Sequence, residues 1–170
     1  LMECETKGID VSGEYPVYEM FPFRVKLDAE NCEVAVDKKK LSTLRPSTVA
    51  DFVKSGQDKL NKAPFKADAF LNELSEAYDI ALLKTDKEEG DDVYLTTLYK
   101  IMVPMARSRK EYDMQAFAFD LARLLNHGEL LTKNGRSFQF GSTRDIKKAI
   151  RVLGEDGEEQ YLATISFNKA

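Results

Sequence analysis

The sequence predicts an α+β protein, and three stretches carry that prediction. Residues 17–36, VYEMFPFRVKLDAENCEVAV, alternate apolar and polar side chains on either side of a DAEN turn, the period-two pattern of a β-hairpin. Residues 67–84, ADAFLNELSEAYDIALLK, set Phe70, Leu71, Leu74, Ala77, Tyr78 and Ala81 three and four apart, which gives a long helix one apolar face. Residues 113–128, DMQAFAFDLARLLNHG, add a second helix with both ends marked. Asp113 is placed to cap it, Phe117, Leu121, Leu124 and Leu125 form the buried stripe, and Gly128 can take the positive φ of a C-terminal stop.

The remaining elements follow in order. Pro22 puts the start of the first hairpin at an edge or a bend. Pro46 and Ser47 open a helix over 47–62 that presents Val49, Phe52, Val53 and Leu60, with Gly56 interrupting the pattern. Lys84 to Asp92 is almost wholly charged and reads as an exposed loop. VYL, residues 93–95, is a short strand, and TTLYKIMVPMA a short helix bent or closed by Pro104. ELLTKNGRSFQFG, residues 129–141, predicts two strands around a type I′ turn at Asn134-Gly135, with Leu131 and Phe138 as cross-strand neighbours. Residues 141–154, GSTRDIKKAIRVLG, predict a helix with Ile146, Ala149, Ile150 and Leu153 on one side and Arg144, Lys147, Lys148 and Arg151 on the other, opened by a capping box at Ser142 and Asp145. A GEDGEE turn and a strand, QYLATISF, close the chain. Three regions are expected: 1–62, 63–142, and a C-terminal helix and strand over 143–170.

Composition limits the function. The chain has 170 residues, 43% hydrophobic and 32% charged, enough for one core or two small ones. Two cysteines, Cys4 and Cys32, form no CxxC pair, which predicts a reduced setting, cytoplasmic or with nuclear or nucleoid DNA. No apolar run approaches the ~18 residues of a bilayer span, so no membrane partner is expected. The net charge is −4, yet residues 104–151 hold ten Lys/Arg and five Asp/Glu, a net +5 that leaves −9 elsewhere. A basic part in an acidic chain points to an anionic partner, or else the two parts neutralise each other within the fold.

From Ala67 to Gly141 the order of long helix, short strand, short helix, turn, helix and hairpin resembles the winged helix-turn-helix superfamily. DAFLNELSEAYDIALL, VYL, TTLYKIMV, DMQAFAFDLARLL and the wing ELLTKNGRSFQFG carry the resemblance. In members that bind DNA it implies a groove-entering helix, here Met114–Asn126, whose outer face would show Gln115, Phe119, Asp120, Arg123 and His127. Phosphates would be held by the wing and its flanks, at Arg107, Arg109, Lys110, Lys133 and Arg136. Asp120 would repel phosphate on that face, and Phe119 is open to being core or surface. Many winged helices join proteins together instead. Lys133 and Arg136, facing each other across the turn, either mark an anion site or splay into solvent.

Little points to catalysis. Asp28 followed by Asp37-Lys38-Lys39 has the residue types of a metal-dependent nuclease, but a hairpin puts the carboxylates at opposite ends of a strand, too far apart for one ion. His127 is the one histidine and reads as a C-terminal capping cation. There is no glycine-rich phosphate loop. The expectation is a non-enzymatic module without cofactor or metal that binds nucleic acid, duplex DNA first, mainly through backbone contacts. Arg144, Lys147, Lys148 and Arg151 would extend the positive wing. The alternative is a protein-interaction winged helix, a scaffold subunit of a larger assembly. Whether Arg107, Lys110, Lys133, Arg136, Lys147 and Arg151 gather on one face or disperse among acidic partners separates the two.

Overall fold

In the computed structural model, which describes residues 1–169, the helices and antiparallel strands of this α+β chain sort into two units, Leu1–Ala63 and a second beginning at Pro64. Among the described residues no helix is long and apolar enough to cross a membrane.

The first unit is a five-stranded antiparallel meander with two helices: α1 (Met2–Thr6), β1 (Ser12–Glu14), β2 (Val17–Met20), β3 (Phe23–Asp28), β4 (Glu33–Val36), β5 (Lys39–Leu41) and α2 (Pro46–Lys62). The hairpin read from the sequence is β3–β4. Its turn is closed by Asn31, whose backbone N–H and side-chain amide donate to the Asp28 carboxylate at 3.1 and 2.8 Å. Alternation sends Val25, Val34 and Val36 inward, where α2 meets them with Val49, Ala50 and Val53. β1 and β5 were not legible, being three residues long and mostly exposed. Gly56 does not break α2. A Cβ there would stand 2.6 Å from Cζ of Phe23, so the glycine makes room for that ring.

The second unit contains α3 (Ala67–Thr85), β6 (Val93–Tyr94), α4 (Leu95–Met102), α5 (Ser108–Glu111), α6 (Met114–His127), β7 (Arg136–Gly141), β8 (Ile150–Leu153), β9 (Glu159–Leu162) and β10 (Thr164–Lys169). The α3 face predicted from spacing is buried throughout, and the Asp113 carboxylate caps α6 by accepting the Ala116 N–H at 2.9 Å. Gly128 has φ +87° at the end of α6. β10 lies between β6 and β7 in a three-stranded antiparallel sheet, and β8–β9 form a separate hairpin. The core packs Phe117 against Phe70, Tyr99 and Tyr112, and Tyr78 against Phe167 at 5.1 Å between ring centres.

Two expected elements are absent. The basic helix over 141–154 is not formed: Ile146–Lys148 make one 3-10 turn, and Ile150–Leu153 are strand β8. Ser142 caps nothing here. Asp145 instead accepts the N–H of Lys147 at 3.1 Å, while its own N–H donates to Thr143 Oγ1 at 3.3 Å. Strand geometry wins because Ile150 and Val152 bury at period two and β9 supplies the ladder. The wing also differs. The turn spans Thr132 to Gly135, with Gly135 N–H on the Thr132 carbonyl at 2.8 Å and positive φ at Gly135 but not at Asn134. That is a type I turn followed by a left-handed glycine, not type I′. After one further bond, Thr132 N–H to Arg136 O at 3.0 Å, residues 129–131 form no ladder with β7, whose strand partner is β10. Leu131 is 54% exposed, so it does not pair with Phe138 on the core side.

Where β10 begins, the Thr164 hydroxyl is buried without a hydrogen-bond partner among the described residues, against the Cα of Gly141. A buried unpaired hydroxyl costs free energy that an isosteric methyl does not. Thr164→Val should therefore raise the urea midpoint, by about 1 kcal/mol of unfolding free energy. A lowered midpoint would show that the hydroxyl is satisfied in solution.

Candidate nucleic-acid interface

The cations expected to hold phosphate do not share one environment. Arg136, at the start of β7, is buried with its side chain 11% exposed. Its guanidinium grips Asp79 of α3 through Nη1–Oδ1 at 2.8 Å and Nη2–Oδ2 at 2.7 Å, and lies 5.8 Å over the Phe167 ring. Lys133 bonds back to α3 as well, with its N–H on Asn72 Oδ1 at 2.9 Å and its ammonium 3.5 Å from Glu76. The like-charged pair inferred at the turn is thus drawn to two separate carboxylates. Arg151 of β8 meets Glu159 of β9 at 2.7 Å. Arg109 donates to the carbonyls of Val103 and Pro104, both at 2.9 Å, and so fastens the segment after α4.

On α6, Gln115 is half-buried, and so is Arg123, which stands 3.6 Å from Asp120 and stacks over Phe119 at 4.5 Å and Phe65 at 5.3 Å. Phe119 is thereby half-buried beneath a cation. Asp120 does not face outward to repel phosphate. Its side chain is 20% exposed and accepts the Tyr112 hydroxyl at 2.7 Å.

Four expected cations remain exposed with no ion pair among the described residues: Arg107 and Lys110 around α5, and Arg144 and Lys147 on the β7–β8 connection. Lys148 joins the latter pair, with its ammonium 5.5 Å from the ring centre of Tyr94. Between them Ile146 is 65% exposed.

Two features went unread in the sequence. One is the cluster of Tyr112, Asp120 and Glu73. Burial, the Asp120 charge and the hydrogen bond to it push the Tyr112 phenol far above its usual range, in that order. Burial raises the Asp120 carboxyl, opposed by the Tyr112 hydrogen bond and by Arg123, and burial followed by the charges of Glu76 and Asp120 raises Glu73. Glu73 and Tyr112 line a cavity of about 320 Å³ with Ile80, Ile101 and Met102. Among the described residues no group of three His, Cys, Asp or Glu could hold a metal ion. Asp28 and Asp37 lie at opposite ends of the β3–β4 ladder, the first opposite Glu33 and the second beside Arg24, whose carbonyl takes its N–H at 2.8 Å.

The cluster has a pH signature. A carboxyl whose pKa is raised by folding is protonated earlier in the native state than in the unfolded chain. Between the ordinary carboxylate value and the raised one the native state binds more protons, so stability falls as pH rises through that window and is greater on its acid side. Asp120→Asn keeps an acceptor for Tyr112 and removes the titration. Chemical denaturation across mildly acidic pH should show a shallower fall in the variant than in the wild type, and parallel curves would refute the assignment.

The second feature is a groove of about 910 Å³ lined by Leu125, Gly128, Glu129, Leu130, Leu131, Ser137 and Phe138. Residues 129–131, expected as a strand against β7, line it together with Ser137 and Phe138.

No protein-family model, curated protein or solved structure matches the chain.

Proposed function

We propose that the chain is a non-enzymatic protein-interaction module of the winged-helix type, a scaffold subunit of a larger assembly. In support of the winged-helix reading, α3, β6, α4 and α6 keep the order that the resemblance implies, and β7 follows them, paired with β10 in place of the strand expected over 129–132. The observation that carries the interaction role is the dispersal of the cations: Lys133, Arg136 and Arg151 are each committed to a carboxylate of the chain itself. A cation already neutralised by its own fold releases few counterions from DNA on binding, and contributes little.

One observation favours a second reading, nucleic-acid backbone binding. Arg144, Lys147 and Lys148 are exposed within five residues of one connection. The two readings separate in a titration against duplex DNA at two salt concentrations. The interaction module should show no saturable binding at physiological salt. Binding whose log K falls with log salt at a slope of about −2.7, the value for three phosphates, and which Arg144→Glu with Lys147→Glu abolishes, would transfer the function to the second reading.

A further inference from the structure

The outer edge of β7 is an open strand. Arg136 directs both backbone groups away from β10, its N–H to Thr132 Oγ1 at 3.0 Å and its C=O to the Thr132 N–H at 3.0 Å. Strand groups alternate with period two, so the N–H and C=O of Phe138 and Phe140 point the same way. At the far end, Gly141 turns its C=O toward the β10 side, where it takes the Ala163 N–H at 2.9 Å, which fixes the same phase. Residues 129–131 make no backbone hydrogen bond to this edge, and the four outward groups have no hydrogen-bond partner among the described residues. The edge also lacks the usual safeguards, because Ser137 to Gly141, SFQFG, contains no charge and no proline.

We infer that β7 pairs antiparallel with β7 of a second copy of this chain, about a two-fold axis at Gln139, to make a continuous six-stranded sheet across a homodimer. The register selects this occupant. With Gln139 opposite Gln139 of the copy, Phe138 stands opposite Phe140 of the copy and Phe140 opposite Phe138. Each such pair exchanges two N–H···O=C bonds, so the four outward groups of each edge are satisfied together. The side chain across from Phe138 enters the groove that Phe138 lines with Leu125, Leu130 and Leu131, and here it is a phenylalanine. The absence of charge in SFQFG means that no charge stands opposite its own copy within the paired segment. The inference deepens the interaction reading and rests on it, but the DNA titration tests that reading separately.

Gln139 is exposed, so a charge there leaves the fold intact, and at the axis it meets its own copy in the close, non-hydrogen-bonded pair of the ladder. Sedimentation velocity over a micromolar concentration range should show a monomer–dimer equilibrium for the wild type. Gln139→Lys and Gln139→Glu should each weaken it about fivefold, and an equimolar mixture of the two variants should recover wild-type dimerisation or better. A wild type that stays monomeric, or a dimer indifferent to both charges and to their mixture, overturns the edge pairing.

Discussion

Phe117→Ala should lower the unfolding free energy of the second unit by about 3–5 kcal/mol, the usual cost of removing a fully enclosed aromatic ring. Phe117 has no exposed surface, and its ring is shared by three others, at 5.3 Å from Tyr99, 6.1 Å from Phe70 and 6.5 Å from Tyr112. These come from α3, α4 and the segment before α6, so the void would open where those segments meet. Tyr112 depends on this packing twice over, through the ring and through its carbonyl, which accepts the Tyr99 hydroxyl at 2.9 Å. Against a domain stability of roughly 5–15 kcal/mol, the loss would leave the unit marginal at best. Urea denaturation is the direct measurement, with the midpoint falling and the slope unchanged. Phe117→Leu should cost distinctly less, since it leaves a smaller cavity. Equal behaviour of the two variants, or a loss below about 1 kcal/mol for alanine, would remove Phe117 from the centre of the core.

The parts of the fold that were legible are those whose cause is local. The buried faces of α3 and α6 are written in spacing, and the α6 cap needs only Asp113 and Ala116, three residues apart. The stretch from Ile146 to Leu153 fits a helix by periodicity and a strand by the β-branched Ile150 and Val152. What decided it is β9, which pairs Arg151 with Tyr161 and Val152 with Gln160. The wing failed for a similar reason. No strand forms over 129–132, and the turn that follows is held to α3 by the Lys133 N–H on Asn72, 61 residues earlier. Charge was the least legible of all. The basic excess of residues 104–151 is real, but Asp79 and Glu76, which neutralise Arg136 and Lys133, each lie 57 residues before their partners. A count along the sequence sees the cations and cannot see where the third dimension puts the acids. The Tyr112–Asp120 contact is nearer, eight residues apart, and a buried tyrosine hydroxyl in search of an acceptor was the one signal that could have found it.

The same distinction between a cation that binds a partner and one that holds the fold gives Arg136 its test. Arg136→Ala should destabilise the second unit by about 2 kcal/mol, well below the cost of a wholly buried pair, because Asp79 is 51% exposed and water can take over its carboxylate. Three contributions make up the loss: the forked donation to Asp79, the packing of the guanidinium on Phe167, and the apolar stem that fills the start of β7. Arg136→Lys keeps the charge and part of the stem but not the planar fork, so it should recover less than half. In a double-mutant cycle with Asp79→Ala the losses should be less than additive, since each single change already removes the shared contact. Neither Arg136 variant should alter whatever affinity for duplex DNA the folded protein has at low salt, because the side chain has no free face to offer a phosphate. If Arg136→Ala leaves the denaturation midpoint in place and flattens the salt dependence of DNA binding, Arg136 contacts phosphate after all, and the pair with Asp79 gives way when DNA arrives.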